Sequence, residues 1–374
     1  VSLAACNSSS DDTTTTTTTT TTETTPTVTA LSKALGTTAD VITSTFTSAD
    51  DAITATQSTL GAGDVLVDTS STDSDSLVVT LSNVAVDLNG DGDTADAGEA
   101  AGTMSAPSTI TGIETITVNY SSIIGANDST VDLGNIIGAN VTINHTGNDA
   151  VNPNGTTVNN VGPNMTVNLG TGLDSTTAAD GAVNVAASAS NVVINMGASA
   201  GTIVTGASVD GVTVNGGTGG AMTATLGATN KNVTINTGTA NGAVTIDNTS
   251  ATGTSVTTGY TGAATAGQTI TLNNIATAAT LTVGKPGTAA SATNVTLDGT
   301  AATTDTATVS APGIITFETR GTDQVEVLSL SGNGAAATYN LNATGDQPLS
   351  TTFTGSQSVT LGALQAQIIG HTTG

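Results

Sequence analysis

Tryptophan is absent from this chain, aromatic side chains are limited to three tyrosines and three phenylalanines, and four basic residues face 29 acidic ones. Each scarcity excludes something. With Lys33, Lys231, Lys285 and Arg320 as its only cations, the chain cannot neutralise a phosphate backbone, so nucleic acid is ruled out as a partner. Long amphipathic helices rich in Leu, Glu and Lys have no material here. The lone cysteine, Cys6, has no partner for a disulfide within the chain. A nucleophilic triad needs a positioned base, and the only histidines are His145 and His371. His145 directly follows the strand-like phrase Val-Thr-Ile-Asn, which predicts a turn or an outer face for it. Phosphate loops, zinc ligand sets and apolar spans of about 20 residues are missing as well.

What remains is Thr, Ala, Gly, Val, Asn and Ser. The formal net charge is −25, yet charged residues are only 9% of the 374, and 37% of the chain is hydrophobic. That apolar share is enough to fold most of it. The charge is uneven: 15 of the 29 acids precede residue 111.

Residues 1–6 end in Leu3-Ala4-Ala5-Cys6, which resembles the lipobox that closes a bacterial lipoprotein signal peptide. The resemblance implies that Cys6 carries the lipid, and Asn7 in place of Asp implies an outer-membrane anchor at the cell surface. Residues 7–30 read as a disordered Thr-rich tether: ten consecutive threonines flanked by Asp11, Asp12 and Glu23 have nothing to bury. Fully extended, the tether reaches roughly 75–80 Å.

Residues 31–109 form an acidic section in which apolar and polar residues alternate between Gly/Asp turns, the pattern of short strands. The stretch LGTTADVITSTFTSADDAITATQSTLGAGDVLVDTSSTDSDSLVVTL, followed by Ile110-Thr-Gly-Ile-Glu-Thr-Ile-Thr-Val118, resembles the opening of the repetitive domain in bacterial surface-layer and RTX-related proteins. One departure stands out. The calcium nonapeptide GGxGxDxUx of that family is nowhere in clean form, so stacked calcium turns are not carried over.

The sharpest chemical motif is Asp87-Leu-Asn89-Gly-Asp91-Gly92-Asp93-Thr-Ala-Asp96-Ala-Gly-Glu99. Calcium takes six to eight hard oxygens, and alternate side chains of a tight loop can converge on one ion. Asp87, Asn89 and Asp91, with Gly92 at the bend, match the first half of an EF-hand-type loop. Asp93 falls where such loops offer a backbone carbonyl. Glu99 comes one residue later than the closing glutamate should, and Asp96 is expected to supply the missing reach. Five carboxylates in so short a run repel one another without a cation. Calcium is the expected cofactor, held by Asp87, Asn89, Asp91, Asp93, Asp96 and Glu99; a solvated acidic turn is the plain alternative.

Residues 110–374 repeat one phrase: apolar, usually Thr, apolar, then Asn or Asp. It begins at Ile116, Val141, Met165, Val192, Val212 and Val233, at intervals of 20 to 27 residues. It continues at Val244, Ile270, Leu281 and Val295, at intervals down to 11, with an echo at Val359. A fixed period of this size is the mark of a solenoid. The expectation is a parallel β-helix (β-solenoid) of two or three strands per coil, with Val, Ile and Leu along the axis, Thr and Asn in ladders, and an aromatic-bearing cap at the carboxyl end around Phe317, Tyr339 and Phe353. An array of antiparallel sandwiches is the alternative, although it would want buried aromatics.

The fold class expected is therefore all-β: a tether, an acidic strand-and-loop section, then the solenoid. The function expected is a structural cell-surface protein that assembles with copies of itself into a surface layer or extracellular fibre. An adhesin is the second reading. A polysaccharide-processing enzyme is the third, weakened by having only Asp210, Asp247 and Asp298 as acids between residues 181 and 300.

Overall fold

A strand of alternating β-branched and small polar residues has one apolar face, and that face has to be covered. Here the chain covers itself. The computed structural model describes residues 28–96, 99–121, 129–146, 155–169 and 181–197, and beyond them chiefly the strands up to residue 372. It is all-β, with no helix among the described residues, and its strands stack in parallel as a β-solenoid.

Three sheets run along the coils. The main sheet has fifteen strands, from Ser32–Ala34 through Ala52–Thr56, Ser76–Thr80, Thr115–Ser121 and Asn140–Thr146 to His371–Thr372. A second, of twelve strands, runs from Thr103–Met104 to Gln357–Leu361. The third belongs to the front coils alone: Val41–Ile42, Val65–Val67, Thr109–Thr111 and Ile136–Ile137. At the usual inter-strand spacing of about 4.8 Å, the main sheet is roughly 67 Å from first strand to last.

Inward positions follow the phrase. In Thr115–Ser121 the buried residues are Ile116, Val118 and Tyr120, and in the next coil Val141 and Ile143 lie level with Ile116 and Val118. Further along, Val192, Val212 and Val233 form one buried column and Ile194, Val214 and Ile235 another. Each such side chain contributes roughly 1.5–3 kcal/mol by leaving water.

The second sheet supplies the facing half of the core with Val131, Val158, Val183, Ile203 and Ala224. The shortened intervals in the sequence now have a cause. Val233 lies in the main sheet and Val244 in the second, while Ile270 lies in the second and Leu281 in the main. The phrase is being used twice per coil.

Three expectations meet the structure differently. The acidic section 31–109 supplies the solenoid's first coils: Leu77 is paired with Ile53 on one side and Ile116 on the other, in the same main sheet. The stretch expected to cap the rod supplies further strands, with Phe317 in register with Val295 and Leu341. His145 is not on a turn or outer face. Its strand runs two residues beyond the phrase, so the alternation carries the imidazole inward, where it is fully buried 4.7 Å from the Tyr120 ring.

Candidate metal centre and the carboxylate corners

The Asp87–Glu99 loop grows out of the front of the solenoid. The chain leaves the main sheet after Thr80 and returns at Thr103–Met104, the first strand of the second sheet. Gln57 from the preceding coil holds the base: its amide donates to the carbonyl of Ala100 at 2.8 Å and its carbonyl accepts the Ser82 N–H at 3.1 Å. The Gly102 N–H donates back to the carbonyl of Ser82, closing the excursion.

Inside the loop the backbone curls around its own side chains. Asp87 accepts the N–H groups of Gly90 and Gly92, at 2.6 and 3.1 Å. Asn89 accepts from Asp91, Asp91 from Asp93, and Asp93 from Ala95, each two residues on. Gly92 has φ of 94°, a conformation that only glycine takes without strain. The bond from Gly92 back to Asp87 is what winds the loop.

The carboxylates of Asp91 and Asp96 converge on the side-chain amide of Asn89, at 3.2 and 2.7 Å. Glu99 is the buried member, 1% exposed. Its carboxylate accepts the N–H of Leu88 at 2.8 Å and of Asp96 at 3.1 Å, stapling the two arms together. Of the six expected ligands, Asn89, Asp91 and Asp96 are joined by side-chain hydrogen bonds, Asp87 and Glu99 hold backbone N–H groups of the loop, and Asp93 is exposed. The donor set is oxygen-rich and faces solvent, which suits a hard cation such as calcium. Cys6, the expected lipid attachment, lies outside the described residues.

A second use of acids was missed in the sequence. Asp51, Asp75 and Glu114 each stand directly before a main-sheet strand, and each carboxylate reaches back one coil. Asp51 accepts the N–H of Leu31, Asp75 that of Asp51 at 2.8 Å, and Glu114 that of Asp75 at 2.8 Å. The column survives sequence separations of 20, 24 and 39 residues. At the third sheet, Asp64 does the same for the Asp40 N–H at 2.7 Å. These corners carry N–H groups that no strand partner can reach, and a carboxylate is the strongest acceptor available. An acid immediately before successive strand phrases (Asp51-Ala, Asp75-Ser, Glu114-Thr, Asp40-Val, Asp64-Val) was the signal to read.

The corner environments differ electrostatically. Burial acts to raise the Asp51 carboxyl, but the N–H groups of Thr47 and Leu31 and the Thr47 hydroxyl outweigh it and hold it below the ordinary carboxylate range. Asp40 is also held low, by the Lys33 ammonium at 2.8 Å and the Gly36 N–H. Asp75 goes the other way. Burial pushes its carboxyl up to about 6, and the charges of Asp73, Asp51 and Asp68 add to the rise against the Asp51 N–H.

In the body the acids give way to amides. Asn236 donates to Asn215, Asn215 to Asn195 and Asn195 to Asn168, at 2.7–2.8 Å, along the outward face of the main sheet. No protein-family model, curated protein or solved structure matches this chain.

Proposed function

We propose that this protein is a structural component of a bacterial cell surface, anchored by lipid at Cys6, stabilised by calcium, and assembling with copies of itself into a surface layer or extracellular fibre. One observation carries the reading. Among the described residues the main sheet is open at the front: Ser32–Ala34 pairs with Ala52–Thr56 on one side, and no described strand pairs with its other edge. An uncovered row of backbone donors and acceptors is a template for another chain.

The outward faces suit stacking better than chemistry. They are lined with Thr and with Asn ladders, uncharged groups that can lie against a neighbouring rod without burying a charge. The Asp87–Glu99 loop stands beside the first strand of the second sheet, close to the open front. Calcium there would neutralise carboxylates that otherwise repel an approaching copy.

Electron microscopy and light scattering of the purified chain, with calcium and with chelator, test the proposal. Ordered arrays or fibres that lengthen with calcium are expected. Monodisperse single copies in both conditions would overturn it.

A further inference from the structure

We propose that Asp68, Asp73 and Asp75 form a buried site for one hard divalent cation of the calcium class, separate from the Asp87–Glu99 loop. The three carboxylates lie in the corner that joins Val65–Val67 of the third sheet to Ser76–Thr80 of the main sheet. Each offers an oxygen, and these oxygens all lie within 4.8 Å of one another; no other trio of acids, histidines or cysteines among the described residues meets that condition.

Proximity alone would be an ordinary acidic cluster. What points to a ligand is how the oxygens are left. Asp75 is 0% exposed; one of its oxygens accepts the Asp51 N–H, and the other is buried with no donor. Both oxygens of Asp73 are likewise shielded from solvent without a donor. Asp68 is 9% exposed and accepts the Ser70 N–H at 2.8 Å. Buried acceptors without partners, three like charges together and no cation nearby are each costly. Lys33, the described basic residue of the front coils, is committed to Asp40.

A single proton can bridge one pair of these oxygens and leaves the third acid charged. A divalent ion answers all three. Every donor is a carboxylate oxygen, with no nitrogen or sulfur, a set that suits calcium, magnesium or manganese.

The neighbouring coils shape the pocket. From the coil before, the Asp51 N–H donates to the Asp75 carboxylate, and from the coil after, the Glu114 carboxylate accepts the Asp75 N–H. Gly112, with φ of 74°, packs so tightly over Asp68 that an added Cβ would lie 2.3 Å from its carbonyl oxygen. The exposed residues Thr69, Ser71, Thr72 and Ser74 leave the outer side of the corner open to solvent, so an ion can enter with water completing its shell. Such an ion would fasten the third sheet to the main sheet at the second coil.

The proposal stands apart from the assembly reading, and its test uses the full chain with the exposed loop silenced by Asp87→Asn and Asp91→Asn. After dialysis against chelator, calorimetric titration with calcium chloride is expected to give one remaining ion per chain. Adding Asp73→Asn should weaken that binding at least ~10-fold, and Asp68→Asn, at the rim, should do the same if Asp73→Asn fails the circular-dichroism check for folding. In the loop-silenced chain with its corner intact, calcium should slow amide hydrogen exchange across 68–75. Absence of calcium and manganese binding by the loop-silenced chain, undiminished binding in the corner variants, or unchanged exchange would each overturn the site. Assembly with an unoccupied corner, or occupancy without assembly, keeps the two proposals distinguishable.

Discussion

Asp75 sits where its charged form is least welcome, and the consequence is a stability that depends on pH in an unusual direction. Its carboxyl is raised from 3.8 to about 6 by burial and by its acidic neighbours. The unfolded chain releases this proton near pH 4 and the folded chain near 6, so between those values the fold holds the extra proton. The contribution to stability is full below about pH 4 and is lost as pH rises through 6, with a size on the order of 3 kcal/mol. Asp51 and Asp40 act oppositely: their lowered carboxyls favour the fold above about pH 4, and that contribution disappears in stronger acid. In chelator, the thermal midpoint is therefore expected to fall between pH 5 and 7.5, and Asp75→Asn should flatten the fall. Scanning calorimetry across that range decides the matter, since an equal slope in both proteins would remove Asp75 as the cause.

Corners, more than strands, set how coils can differ in length and still stack. At the start of the main-sheet strands in the body, Asn191, Gly211 and Asn232 as second strand residues and Asn164 two residues before its strand occupy one column, all with left-handed φ between 52° and 75°. Asn tolerates this conformation and also bonds along the column, as Asn191 does to Asn164 at 3.1 Å. Asn191→Ala is expected to cost about 1–2 kcal/mol for the backbone alone, and Asn191→Gly distinctly less, because glycine keeps the conformation and loses only the amide. Urea unfolding of the two variants separates the terms; equal losses would mean that the amide ladder, and not the backbone, fixes the corner.

The strands themselves were legible. Val-Thr-Ile-Asn states inward, outward, inward and ladder in four letters, and local alternation is enough to read it. The carboxylate corners were not legible in the same way, because Asp75 meets Asp51 and Glu114 only once coil lengths of 24 and 39 residues are known. The same holds for Asp68, Asp73 and Asp75: read along the chain they are part of an acidic, serine-rich turn, and only the packing of the corner, with Gly112 against Asp68, brings their carboxylate oxygens together. Motif spacing marked the Asp87–Glu99 loop because its contacts are local, mostly two to five residues apart.

At the scale of the whole molecule, a parallel solenoid has no natural end, and its growth is checked only by what its terminal edges offer. At the front, the Leu35 N–H donates to the Thr54 carbonyl and the Leu31 carbonyl accepts the Ala52 N–H, so these residues face the second strand of the main sheet. By alternation, the backbone groups of Ser32 and Ala34 face the open side. Proline at Ala34 would remove an outward donor without touching an internal bond, and Ala34 is exposed, so its side chain displaces nothing. If assembly proceeds by edge pairing, Ala34→Pro should leave the melting temperature of the single rod within a few degrees of the parent. Fibre or array growth, followed by light scattering with calcium present, should be reduced severalfold. Leu35→Pro is the matched control: it deletes the internal bond to Thr54 and should lower the melting temperature as well. Undiminished growth in Ala34→Pro would move the assembly contact from the front edge to the Thr and Asn faces of the rod, where substituting Asn195 or Asn215 with lysine would then be the disruptive change.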